Sequence, residues 1–142
     1  MKLRIKKLDE NAIIPQFKTL GSAGMDVCCI EDVLLQPSQF KIVKTGLAMQ
    51  VEQGYEIQVR PRSGLACKHG ITVINAPGTV DSDYTGEVCV GLINLSSQDY
   101  YISAGDRIAQ LVINKIEQPT IELVDELQQT QRGAGGFGST GK

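Results

Sequence analysis

Histidine is nearly absent: His69 is the only one in the chain. A catalytic triad needs an imidazole beside its nucleophile, and zinc hydrolases draw on several histidines, so both chemistries are disfavoured at once. Cysteine occurs four times, as Cys28, Cys29, Cys67 and Cys89, but with no CxxC pair and no zinc spacing to His69. Those thiols read as the reduced cysteines of a cytoplasmic protein. Excess positive charge is missing too. Lys and Arg number 14 against 16 Asp and Glu, a net charge of -2, which argues against a nucleic-acid face. A phosphate ligand would have to be met by a few local cations or a metal ion. Long apolar runs are lacking, so no segment is long enough to span a membrane, and the opening MKLRIKKLDE has no signal-peptide core. Helical periodicity is almost absent, no fixed-period repeat is visible, and 142 residues make one domain.

Short strands and turns fill the chain instead. Leu3 and Ile5 alternate with Lys2, Arg4 and Lys6, as in a half-buried strand. Val27–Ile30, Val33–Leu35, Phe40–Lys44 and Leu47–Val51 follow, the last two flanking Thr45-Gly46. Tyr55–Arg60 alternates cleanly and stops at Pro61. Arg62–His69 is the one candidate helix, with Ser63 as its cap. Ile71–Asn75 and Glu87–Leu95 make a central hairpin. Tyr100–Ile102 and Arg107–Ile116 are further strands, and Ile121–Leu127 is the last ordered piece. The pattern predicts an all-β fold, a jelly-roll-like sandwich or barrel with one short helix over residues 1–127. Residues 128–142 form a flexible, glycine-rich tail.

Five polar stretches stand out. Between the central strands lies NAPGTVDSDYTGE, Asn75–Glu87. A turn needs its Asn, Pro and Gly; it does not need Asp81, Asp83 and Tyr84 as well. It is either a polar hairpin tip or a slot that reads a flat polar ring. Pro61-Arg62-Ser63-Gly64 sets a guanidinium, a hydroxyl and free amides at a helix start, either an ordinary cap or a phosphate site. Asp26, after the glycine turn Gly21–Gly24, either braces that turn or holds a metal's waters. Gly105–Gln110 reads as a β-turn with a local Asp106–Arg107 ion pair, from which Gln110 reaches towards phosphate. The tail matches fragments of the dinucleotide and Walker A patterns, but no strand–turn–helix unit surrounds them. It is either a disordered tail or a segment that orders over a nucleotide, with Arg132, Ser139 and Thr140 on phosphate and Phe137 on a ring.

Taken together and in order, AGMDV (Ala23–Val27), PRSG (Pro61–Gly64), NAPGTVDSDYTGE, GDRIAQ (Gly105–Gln110) and RGAGGFGST (Arg132–Thr140) resemble the five motifs of the trimeric deoxyuridine triphosphate nucleotidohydrolases, the dUTPases. The resemblance covers nearly the whole chain. It implies a jelly roll and hydrolysis of dUTP to dUMP and pyrophosphate, which keeps uracil out of DNA and supplies dUMP for thymidylate synthesis. Asp81 is then similar to the general base that activates water for attack on the α-phosphorus. Tyr84 is similar to the residue that packs under deoxyribose. Asn75 and the backbone of Gly78, Thr79 and Val80 read uracil, with main-chain help from Cys89. Arg62, Ser63, Gly64 and Gln110 hold the phosphates. Arg132, Gly138, Ser139 and Thr140 close on the γ-phosphate, and Phe137 covers the base. Asp26 positions Mg2+ through water. The resemblance further implies a homotrimer whose subunits share each site, each donating its tail to another's site.

Two other readings compete. A dCTP deaminase has a similar fold but releases ammonia rather than pyrophosphate, and the tail and DSDY stretch fit it less well. A non-catalytic nucleotide-binding regulator would have Asp81 or the tail altered, and both are intact.

Overall fold

The computed structural model describes residues 1–138. Ten strands and one helix run in the order β1 (Arg4–Lys7), β2 (Met25–Cys28), β3 (Val33–Leu35), β4 (Phe40–Gln50), β5 (Tyr55–Arg60), α1 (Ser63–His69), β6 (Ile71–Val73), β7 (Gly78–Val80), β8 (Glu87–Asn94), β9 (Tyr100–Ile102) and β10 (Arg107–Lys115). They form one sheet in the order β1-β4-β8-β6, a second in the order β2-β10-β5-β7, and the pair β3-β9. Every pairing is antiparallel. This is the all-β, jelly-roll-like sandwich that the turn spacing predicts.

Period-2 alternation builds the core. Along β8, Val88, Val90 and Leu92 are buried and the residues between them are only half-buried. Leu47, Ile57, Leu111 and Ile102 bury their side chains in the same cluster, each worth about 1.5–3 kcal/mol. Asn94 is fully buried yet satisfied: its amide donates to the Leu35 and Gln98 carbonyls at 2.9 and 2.7 Å, and its oxygen accepts from Ser96. That side chain closes the turn after β8.

Four sequence expectations change. Phe40–Lys44 and Leu47–Val51 are one strand, β4, interrupted by a bulge at Thr45-Gly46 where the pairing with β8 shifts register. Gly46 adopts φ 67°, which a glycine takes without strain. Second, β6 and β8 do pair, but the chain between them is not a plain turn: Gly78–Val80 crosses to the other sheet and pairs with β5. Third, Ser63 is not the cap. Arg62 holds that position with extended dihedrals and no side-chain cap bond, so Ser63 is the first helical residue and its hydroxyl is left free of capping. Fourth, Ile121–Leu127 forms no helix or strand and is exposed throughout. No helix among the described residues is long and apolar enough to cross a membrane.

Candidate active site

A four-residue cluster forms around Asp26. Gln110 lies directly opposite Asp26 in the β2–β10 pairing and opposite Arg60 in the β5–β10 pairing. Arg62 enters from just beyond β5. In a regular strand Arg107 and Gln110, three residues apart, would face opposite sides. A bulge between Arg107 and Ala109 breaks that alternation, with Ile108 and Ala109 both buried, and turns Arg107 onto the same face. The Asp26 carboxylate therefore accepts from Arg62 Nε at 3.2 Å, Gln110 Nε2 at 3.3 Å and Arg107 Nη1 at 3.0 Å. Arg62 Nη1 also donates to the Arg107 carbonyl at 3.0 Å. The Asp26 side chain is 10% exposed against 23% for Arg62 and 51% for Arg107, so these are charge-assisted bonds to a shielded carboxylate from cations that stay partly in solvent. Two guanidiniums are thus held side by side, with most of their five donors each still available. The expected Asp106–Arg107 pair does not form. Asp106 instead accepts from the Ser103 amide at 2.9 Å, closing its turn.

Ser63 and Gly64 follow in the first turn of α1, both exposed. The first backbone bond of the helix is donated by Ala66 to Arg62, so the amides before it have no helical partner. A cleft of about 560 Å³ lies beside them, lined by Gln58, Arg60, Pro61, Ser63, Ala76 and Pro77.

A second cluster is built from Asn75–Cys89. β7 is an edge strand, so one side of Gly78, Thr79 and Val80 carries no sheet partner. On β8, Gly91 accepts from the Ile74 amide at 2.8 Å. Antiparallel alternation points the main-chain groups of Cys89 the same way, towards the side where β6 has already ended. The Asn75 amide lies between the two open edges: a Cβ built on Gly78 would be 3.4 Å from its Nδ2, and one on Gly91 would be 3.9 Å from its Oδ1. Asp81, just after β7, is exposed and faces a cleft of about 620 Å³ that Arg4, Gln118 and Asp83 also line. The Tyr84 hydroxyl donates to the Glu87 carbonyl at 2.9 Å. Burial raises the Cys89 thiol above its ordinary value, with Glu87 adding to the rise.

The Ala76–Gly78 end of this second cluster adjoins the first, since Ala76 and Pro77 share a cleft with Ser63 and Gly78 pairs with Val59, but Asp81 does not reach the arginines. Val80 pairs with Ile57 near the start of β5, and Arg62 lies beyond its end. Strand rise puts Asp81 and Arg62 on the order of 15–20 Å apart. The described residues of the tail, up to Gly138, join neither cluster. Arg132 donates to the Gly135 carbonyl at 2.8 Å, and Phe137 and Gly138 are exposed. Ser139 and Thr140 lie outside the described residues.

The dUTPase family model matches residues 10–141. Deoxyuridine 5'-triphosphate nucleotidohydrolase from Wolinella succinogenes is 56% identical over 142 residues, all of this chain and 95% of the relative. The same enzyme from Nautilia profundicola is 57% identical over the full length of both. The chain belongs to the dUTPase family. The fold is similar to that of a Staphylococcus bacteriophage 80alpha dUTPase variant with dUpNHpp, at TM-score 0.92 and 28% identity over 99% of each chain. It is also similar to a variant dUTPase from S. aureus phage phi11, a structure that details the coordination of a structural Mg(II) ion, at TM-score 0.85 and 26% identity over 91% of this chain and 100% of that one.

Sequence reasoning undervalued Arg107. No sequence signal singled it out: Ile108-Ala109 are adjacent apolar residues, but so are Leu111-Val112-Ile113 in the same strand, so the bulge does not show in the pattern. Gly86 and Glu87 were legible only as a turn and a strand start; their contacts with Tyr84 appear once its ring has a position.

Proposed function

We infer that this chain performs the reaction of its family, hydrolysis of dUTP to dUMP and pyrophosphate, through a site assembled from more than one copy. The observation that carries this reading is the separation of Asp81 from the arginine cluster: Val80 pairs with Ile57 near the start of β5 while Arg62 lies beyond its end, so a single chain does not bring the proposed base to the groups that suit a polyphosphate. The open edges of β7 and β8 offer backbone donors and acceptors, which complement the acceptor–donor–acceptor edge of uracil. Cytosine reverses two of those groups and would leave buried polar atoms unpaired. Asn75 adds a side-chain amide to that edge. Tyr84 takes the sugar and Asp81 accepts the proton of the attacking water. Arg62, Ser63, Gly64 and Gln110 hold the phosphates, and Arg107 adds a second guanidinium. The tail, through Arg132, Phe137, Gly138, Ser139 and Thr140, closes over the bound nucleotide as a mobile lid.

The residues present suit Mg2+ as an ion carried on the triphosphate. No group of three or more His, Cys, Asp or Glu among the described residues could hold a metal. Asp26 already accepts three bonds, so it meets the ion through water, as Mg2+ commonly permits. When bound, the ion would neutralise charge on the phosphate oxygens. Homotrimeric assembly with shared sites and a cytoplasmic setting complete the reading; neither nucleic acid nor membrane takes part.

The test is incubation with Mg2+ and dUTP, UTP, dCTP or dTTP in ¹⁸O-water, followed by chromatography and mass spectrometry. The expected products from dUTP are labelled dUMP and unlabelled pyrophosphate, with the other nucleotides cut at least ~100-fold less efficiently. Label in pyrophosphate, or ammonia from dCTP, would contradict the reading.

A further inference from the structure

Tyr84 folds back over its own hairpin. Its hydroxyl reaches the Glu87 carbonyl at 2.9 Å, while the ring crosses Gly86. A Cβ built on Gly86 would lie 2.6 Å from the Tyr84 hydroxyl oxygen, 2.7 Å from Cζ and 3.1 Å from Cε2. No other atom is among its three nearest neighbours. Gly86 also has no positive φ, so its backbone does not call for glycine. The space that Tyr84 occupies is therefore the one reason visible in the structure for having no side chain at position 86.

The acceptor of the phenol is itself pinned. The Glu87 carboxylate accepts the Gly46 amide at 2.9 Å, at the β4 bulge. Gly46 is held in turn by the Leu8 amide, which donates to its carbonyl at 2.8 Å, and a Cβ there would meet Ala12 and Asp9 at 2.9 Å each. The Glu87 carbonyl is thus a fixed anchor, and Gly86 is the gap through which Tyr84 reaches it.

We propose that Gly86 is a specificity-determining positioning residue, whose missing side chain lets Tyr84 lie flat on the hairpin and so sets the height of the floor beneath the sugar. The proposal rests on the reading that Tyr84 contacts the sugar. A floor at fixed height admits a 2′-deoxy sugar and refuses a 2′-hydroxyl. A methyl group at position 86 lifts the ring by its flexible outer end and leaves the strand where it is. The Tyr84–Glu87 bond is then lost and the floor becomes ill-defined.

Gly86→Ala, Tyr84→Ala and the double variant are compared for kcat/KM with dUTP and with UTP, alongside thermal melts. Displacing one packed group in a sterically selective site alters discrimination by about 10-fold or more. The expected result is a dUTP/UTP ratio lowered about 10-fold or more in each single variant, with no further fall in the double variant, because both changes act on one contact. The melting temperature of Gly86→Ala should stay within a few degrees of the parent. If Tyr84→Ala leaves the ratio unchanged, the sugar reading and this inference fail together. If Tyr84→Ala lowers the ratio and Gly86→Ala does not, this inference alone fails. Additive effects in the double variant, or a Gly86→Ala protein that melts many degrees lower, would also overturn it, since position 86 would then act through something other than Tyr84.

Discussion

Asp26 and Asp81 sit in opposite environments, which under the proposed function suit one to structure and the other to chemistry. Asp26 is almost enclosed and accepts from two arginines and an amide, so its charge is committed to holding cations in place. Asp81 is exposed beside an open cleft, free to meet water. Replacing Asp81 with Asn keeps shape but removes the proton acceptor, so kcat should fall by about 10²–10⁴ while affinity for a non-hydrolysable dUTP analogue is kept. Single-turnover kinetics and calorimetric binding check this, and a variant retaining a tenth of parental kcat would show that Asp81 is not the base. The thiols give a second prediction. Burial raises Cys28, Cys29 and Cys89 above the value of 9.0 for a free thiol, and Cys67 is exposed. The folded state therefore keeps these protons to higher pH than the unfolded chain does. Their contribution is fully present below pH 9 and is lost as pH rises through the unfolded value towards the raised folded ones. The melting temperature should thus be lower at pH 10 than at pH 8. Iodoacetamide at pH 8 should label Cys67 first; rapid labelling of several thiols in folded protein would contradict this assignment.

At the scale of elements, legibility in the sequence followed alternation. Tyr55–Arg60 and Glu87–Leu95 carry it clearly and fold as strands within a residue of their expected ends. β4 was legible only as two halves, because the glycine of a bulge looks like the glycine of a turn. β7 was hidden: Gly78-Thr79-Val80 is too short to show a period, and its move to the other sheet depends on partners distant in sequence. Arg107 was misjudged for the same kind of reason, since its ion pair reaches a residue 81 positions away. For the tail, composition is the basis of the reading. Among its described residues the bonds are local, Arg132 to Gly135 and Gly133 to Thr130, and Phe137 is fully exposed. Truncation after Gln131 should therefore leave the melting temperature within a few degrees. Turnover should fall by roughly 10²-fold, the effect of losing several preorganised contacts to a reacting phosphate chain. Near-normal turnover would make the tail a spectator, and a large drop in melting temperature would make it part of the fold.

For the whole molecule, two features point past the single chain. Ile121, Leu123 and Leu127 are each at least 85% exposed, at a cost that burial against a second copy would remove. Asp81 follows Val80, which pairs near the start of β5, while Arg62 lies beyond its other end, so under the proposed function one chain alone does not unite the proposed base with the phosphate-binding groups. Sedimentation at micromolar concentration should give the mass of a trimer; a monomer would reject the shared site. The most direct measurement is complementation. Asp81→Asn and Arg62→Ala chains, each inactive by itself, are unfolded, mixed in equal amounts and refolded together. If a site takes Asp81 from one copy and Arg62 from another, random assembly makes roughly a quarter of the sites intact. Activity on dUTP should then return to about that share of the parental rate. Mixed protein that assembles fully yet stays as inactive as its two parents would place both residues in one chain's site and contradict the account.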